Sequence, residues 1–259
     1  MRSGTTLVHR LVCTAPDVND FVAEAHLLRE LVALYKGSTA LGEALLEPFF
    51  SNSDDCERYF ARCVDKLLAT ARERHNPGGA LILKNPELTM YFPELALLQP
   101  DAQFILVVRD PRDCVASMSV VAERANMAGA PLPMGEMADG IEGMAVLFLR
   151  YYANVISSEL IQNPLRLLTV RYEDLVTNQQ ELLARISLWS GLDINPDAIQ
   201  RSDAGDDGSI FGATLYGEKI SDNSIGGFAK RLSAEDIEIV EKTTHNFMQF
   251  YGYEPHSQT

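Results

Sequence analysis

Five consecutive apolar residues, Phe104-Ile105-Leu106-Val107-Val108, stand between the polar stretches Asp101-Ala102-Gln103 and Arg109-Asp110-Pro111-Arg112-Asp113. A run of this kind has no face to offer water, so it reads as a strand covered on both sides, the habit of a central strand in a parallel sheet. Two other segments follow the same plan: Ala80-Leu81-Ile82-Leu83 ends at Lys84-Asn85-Pro86-Glu87, and Leu165–Val170 ends at Arg171-Tyr172-Glu173-Asp174. Helical patterns lie between and around them. They cover Thr6–Cys13, Phe21–Tyr35 (closed by Lys36-Gly37), Asp55–His75, Leu88–Leu98, a helix carrying Val115, Ser117 and Met118, Gly143–Leu160, Leu182–Trp189 and Ala234–Tyr251. Strands alternating with helices, each strand delivering a charged residue at its C-terminal end, predict an α/β fold of three layers. A central parallel sheet is flanked by helices, with the site at that sheet edge.

The 259 residues, 46% hydrophobic and 22% charged, suit one domain over 1–259 with insertions at about 37–55 and 127–142. Arg201–Ser224 is polar and Gly-rich and reads as a loop over the site. The formal charge of -14 argues against nucleic acid or a heavily sulfated glycan as partner. No apolar run approaches the roughly 18 to 20 residues of a membrane span. Cys13, Cys56, Cys63 and Cys114 show neither CxxC nor zinc spacing, which points to a reducing, cytoplasmic setting without a structural metal.

The N-terminal stretch Arg2-Ser3-Gly4-Thr5-Thr6 opens directly into the apolar helix Leu7-Val8-His9-Arg10-Leu11-Val12. Gly4 lets the backbone turn close to an oxyanion, and the first-turn N–H groups then point at it along the helix dipole. Arg2 adds a charge and Thr5 or Thr6 a hydroxyl. Lys84 and Arg109 sit at strand ends, and Ser117 lies about two turns along the helix after Arg109, so that Arg and Ser can flank one tetrahedral anion.

These residues carry a resemblance. Arg2-Ser3-Gly4-Thr5-Thr6 resembles the 5′-phosphosulfate loop of sulfotransferases, and Val108–Ser117 resembles their 3′-phosphate motif, with its Arg and Ser at this spacing. Ser224–Ser233 is similar to the C-terminal loop that closes over the nucleotide, and Val170–Leu175 has its counterpart. The matches come in family order from Arg2 to Ser233. The resemblance is to the bacterial and tyrosylprotein branch, and it implies a P-loop-like fold and sulfuryl transfer from 3′-phosphoadenosine 5′-phosphosulfate (PAPS) without a metal. It implies Arg2, Ser3, Gly4, Thr5 and Thr6 at the 5′ end, with Lys84 on the bridging oxygen. Arg109 and Ser117 fall at the 3′-phosphate, helped by Ser224, Lys230 or Arg231, and Tyr172 near the adenine.

The cytosolic branch uses a His in a Lys-x-His segment; this chain has Lys84-Asn85-Pro86 there. The base implied instead is Glu24, after the first helix, with His26 and Glu87 in reserve. The acceptor expected is a small molecule, lipid or glycan with a neutral character. A phosphate loop ordinarily follows a buried strand, and only Met1 precedes this one, so the natural chain is expected to begin upstream. Two other readings stay open: a small-molecule kinase, which would want the Lys of Gly-x-x-x-x-Gly-Lys-Ser/Thr, and a non-catalytic nucleotide-binding protein.

Overall fold

The computed structural model describes residues 3–42, 46–132, 134–195 and 224–256. Its sheet is parallel, β1 (Phe104–Val108) against β2 (Leu167–Arg171), in the register Phe104↔Leu167 through Val108↔Arg171. Alternation splits the strand side chains between two cores. Phe104, Leu106, Val108 and Leu167 enter one, while Val107 and Val170 enter the other beside Ile105 and Leu168. Helices cover both faces, which makes the three layers. The first core is filled by α5 (Pro111–Met127), α6 (Gly140–Ile156) and α9 (Ala234–Tyr251), and the second by α1 (Thr5–Val12) and α8 (Gln179–Ser190).

The helices start where local chemistry allows. Asp110 accepts the Arg112 N–H ahead of Pro111 and so starts α5, and Asn52 accepts the Asp55 N–H to start α3 (Ser53–His75). Ser233 and Asp236 close a capping box on α9. Pro86 and Pro93 each open a helix, the first a 3-10 segment over Pro86–Tyr91, the second α4 (Phe92–Leu98). The helix expected at Gly143–Leu160 instead begins at Gly140 and stops at Ile156, Leu160 falling in the 3-10 turn Glu159–Gln162. Between β2 and α8 lies the short α7 (Tyr172–Thr177). No helix among the described residues is long and apolar enough to cross a membrane. The described cysteines are free thiols.

Two expectations fail together near the N-terminus. The helix expected over Phe21–Tyr35 is α2 (His26–Ala40), starting five residues later and running through Gly37. Ala80–Leu83, expected as a buried strand, is a half-exposed extended segment whose sole bridge pairs Val18 with Ala80. The cause is shared, because residues 17–25 are drawn out alongside 80–84. The Ala80 N–H donates to Asp17 C=O (3.0 Å) and the Ala25 N–H to Lys84 C=O (2.9 Å). Between these, Asn19 takes the ladder's place with its side chain. Its Oδ1 accepts the Ile82 N–H at 2.6 Å, and its Nδ2 donates to the Ile82 carbonyl at 3.1 Å. These tertiary hydrogen bonds override the helical periodicity around Phe21, whose ring packs on His9 instead.

His9 is buried on α1, with Nε2 3.3 Å from the Ile82 carbonyl and Nδ1 without a hydrogen-bond partner. Burial, above all, pushes its pKa down to about 4, with Lys84 and Arg10 adding to the fall and the Ile82 carbonyl opposing it. A histidine depressed in the fold below its unfolded value stabilises fully above about pH 6.5, and this contribution is lost as pH falls toward 4. The unfolded chain binds the extra proton across that window, so stability rises with pH there, by at most on the order of 3 kcal/mol. His9→Gln keeps a donor toward Ile82 but does not titrate. Denaturant midpoints measured from pH 7 to 4 are expected to fall less steeply in that variant than in the wild type.

Candidate active site

Gly4 caps α1 in the left-handed region, φ 88°, and its carbonyl receives the Leu7 and Val8 N–H groups. The first N–H groups of the helix therefore have no intrahelical partner and face outward from the turn. Gly4 is seated on the ring of Tyr172, where a Cβ would stand 2.3 Å from Cδ2. No other residue fits that position, by backbone conformation and by space alike. On the same ring lies the guanidinium of Arg109, 4.4 Å from the centroid. Ser224 closes the group: its Oγ is 2.7 Å from the Tyr172 hydroxyl, and its carbonyl accepts from Arg109 at 2.6 Å. Arg109 is buried and Ser3 fully so. Ser117 is half-buried on α5. Arg2 lies outside the described residues, as does the loop expected at Arg201–Ser224 except for Ser224 itself.

A second cluster shares the same stretch of backbone. The Lys84 ammonium donates to Thr6 Oγ1 at 3.0 Å and to Glu24 Oε1 at 2.5 Å. Its side chain is 12% exposed and that of Glu24 37%, so the cation sits inside and the carboxylate reaches out. Glu24 Oε2 faces His26 Nε2 at 3.6 Å. Of the two reserve bases, Glu87 is taken up by an ion pair with Arg29 at 3.2 Å. Gly4 thus belongs to the Arg109 group and Thr6 to the Lys84 group, and Thr5 lies between them on the first turn of α1.

The C-terminal loop is held by residues whose roles the sequence reading missed. Asp113 accepts the N–H groups of Gly226 and Phe228, each at 2.9 Å. Burial pushes the Asp113 carboxyl above the usual carboxylate value, against the opposing pull of Arg109 and those two N–H groups. Arg112 grips both oxygens of Asp110 (3.0 and 2.7 Å), reaches Glu241 at 2.5 Å and lies over the Phe228 ring. Glu173 accepts the Asp110 N–H at 2.9 Å and the Tyr253 hydroxyl at 3.0 Å, joining both strand ends to the tail. Arg231 pairs with Glu123 at 2.6 Å, and Lys230 is exposed at the end of the 3-10 turn Gly227–Lys230. Partners more than a hundred residues apart in the chain leave no local signal, although Asp110 ahead of Pro111 is legible as a cap.

Two glycines with positive φ separate fit from conformation. Gly226 (φ 69°) has nothing within 4 Å of an added Cβ, whereas Gly4 meets Tyr172. Gly226→Ala is expected to lose about 1 kcal/mol from the unfavourable φ alone. Gly4→Ala is expected to lose at least about 2 kcal/mol more, since the clash is with a buried ring. Thermal unfolding of the two variants checks the difference.

The family model described as "Sulfotransferase family" matches residues 1–196. Among solved structures, the chain is similar to the sulfotransferase domain from the curacin biosynthetic pathway. The TM-score is 0.56 and the identity 15%, over 98% of this chain and 95% of that one. It is similar as well to the sulfotransferase domain from the Synechococcus PCC 7002 olefin synthase, at TM-score 0.56 and 18% identity, over 93% of this chain and 90% of that one. A comparison with curated proteins gave no match. Those two structural likenesses establish the P-loop-like α/β fold, and the family match extends over most of the chain. The chain belongs to the sulfotransferase family.

Proposed function

We propose that this protein transfers a sulfuryl group from PAPS to the hydroxyl or amine of a neutral small-molecule, lipid or glycan acceptor, by in-line displacement with Glu24 as general base. The observation that carries the reading is the position of Lys84, 3.0 Å from a hydroxyl of the loop and 2.5 Å from Glu24. One cation links the anion cradle to a carboxylate that reaches solvent. PAPS, as substrate, supplies the activated sulfuryl group and a phosphate leaving group. The chain supplies position and charge, as in phosphoryl transfer.

In this reading the free N–H groups of the first turn of α1, with Arg2, Ser3, Thr5 and Thr6, hold the phosphosulfate end. Gly4 lets the backbone come close there. Lys84 balances charge that gathers on the departing phosphate. An anionic donor competes with Glu24 for Lys84, so donor binding loosens the carboxylate that then takes the acceptor's proton. Arg109 and Ser117 hold the 3′-phosphate, with Tyr172 behind Arg109 and with Ser224 and Lys230 from the C-terminal loop. Arg231 joins them by exchanging Glu123 for phosphate. The charge of -14 favours an acceptor that is not itself a polyanion.

Calorimetric titration with 3′-phosphoadenosine 5′-phosphate (PAP) tests the donor site. Binding is expected in the wild type and a loss of roughly 10- to 100-fold in Arg109→Ala, the size of a charge-assisted contact. Glu24→Gln is expected to bind PAP nearly as the wild type does while losing roughly 100-fold or more in turnover. Folded wild-type protein that does not bind PAP would refute the assignment.

A further inference from the structure

Glu24 and His26 are set side by side by the residue between them. Ala25 has φ -77° and ψ 58°, and the His26 N–H donates to the Glu24 carbonyl at 2.8 Å, which is an inverse γ-turn. This turn is fastened to Lys84-Asn85 at three points. The Ala25 N–H donates to the Lys84 carbonyl at 2.9 Å. Lys84 Nζ donates to Glu24 Oε1 at 2.5 Å, and Asn85 Nδ2 lies 3.1 Å from His26 Nδ1.

The direction of that last bond follows from the other end of the Asn85 amide. Its oxygen accepts the Glu87 N–H at 2.8 Å, capping the 3-10 helix. A backbone N–H only donates, so the carbonyl oxygen occupies that side and the NH2 group faces His26. An NH2 group also only donates. His26 Nδ1 therefore presents a lone pair, and the ring is neutral with its proton on Nε2. Nε2 is the nitrogen facing Glu24 Oε2, at 3.6 Å. That is longer than a hydrogen bond, a gap of the kind that enzyme sites close on binding substrate. Asn85 is 5% exposed, so packing holds its orientation.

We infer that His26 is a positioning residue for Glu24, its tautomer dictated by Asn85, and is not itself the base. The inference rests on the reading of Glu24 as the base. With Nδ1 engaged by Asn85 and Nε2 already protonated, the ring has no lone pair for an acceptor's proton. The two oxygens of Glu24 are then steered separately, Oε1 by Lys84 and Oε2 by His26. A carboxylate that loses Lys84 to an incoming anion keeps its orientation through the imidazole.

Two-bond proton–nitrogen spectra of the full chain, with 15N-labelled histidine, read the tautomer without any acceptor. The wild type is expected to show a bare Nδ1 and a protonated Nε2 at His26. Asn85→Asp keeps an oxygen for the Glu87 cap but withdraws the donor, and is expected to protonate Nδ1. A wild-type ring protonated at Nδ1 overturns the inference. Turnover is followed as PAP release from PAPS with p-nitrophenol and propan-1-ol as probe acceptors. His26→Ala is expected to lose roughly 10- to 100-fold in kcat with PAP affinity unchanged, and to cost nothing further when added to Glu24→Ala. His26→Gln, which can place an N–H near the position of Nε2, is expected to recover most of the loss. Full kcat in His26→Ala beside an inactive Glu24→Ala removes His26 and leaves the base in place. Full kcat in Glu24→Ala removes the base itself, and with it the duty assigned to His26.

Discussion

The contact between the bare Cα of Gly4 and the ring of Tyr172 is what the rest of the site depends on. The parallel register pairs Val108 with Arg171, so the residues that follow, Arg109 and Tyr172, emerge next to each other at the sheet edge. Arg109 takes the ring's face and Ser224 its hydroxyl. Gly4 then brings the first turn of α1 onto the same ring, which sets outward-facing N–H groups beside a buried guanidinium. Any side chain at residue 4 would push the helix start away from the strand ends. Two residues on, Thr6 meets Lys84, and the cradle becomes continuous with the carboxylate of Glu24.

Cations in this acidic protein are used in two ways. Arg112, three positions beyond Arg109, is surrounded by Asp110 and Glu241 and stacked on Phe228, so its charge is spent on fastening the C-terminal loop to α5. Ion pairs buried to this extent add little net stability, since desolvation offsets attraction, but losing one partner is costly. Arg109 lies against the face of the Tyr172 ring and donates to the Ser224 carbonyl oxygen. In the proposed function the same residue type serves as structure at one position and as a phosphate contact at the other. Asp113 completes the division by holding the loop through two backbone N–H groups, an arrangement that places Ser224 over Arg109.

Much of this was legible in the sequence. The strand Phe104–Val108 and the helix Ala234–Tyr251 stand as read, because an all-apolar run and a Ser-x-x-Asp capping box are local signals. Lys84 at the end of its apolar run, Thr6 in the N-terminal loop and Glu24 after the first helix are each legible from place in the chain, and the structure sets the Lys84 ammonium against the other two. The misreadings cluster where long-range hydrogen bonds decide. Periodicity around Phe21 and Ala25 suggested a helix, and Asn19 clamping Ile82 made it an extended segment. Asn85 carries no sign in the sequence that one end of its amide caps the 3-10 helix while the other meets the His26 ring. Nothing in a one-dimensional pattern says which partner an amide will find.

The most direct measurement of the central claim is a crystal structure of the protein grown with PAP. The account predicts the 5′-phosphate against the first turn of α1, with Gly4, Thr5 and Thr6 around it and Lys84 turned toward it from Glu24. It predicts the 3′-phosphate between Arg109 and Ser117. Nucleotide bound elsewhere, or density at the strand ends with its 3′-phosphate away from Arg109, would contradict it.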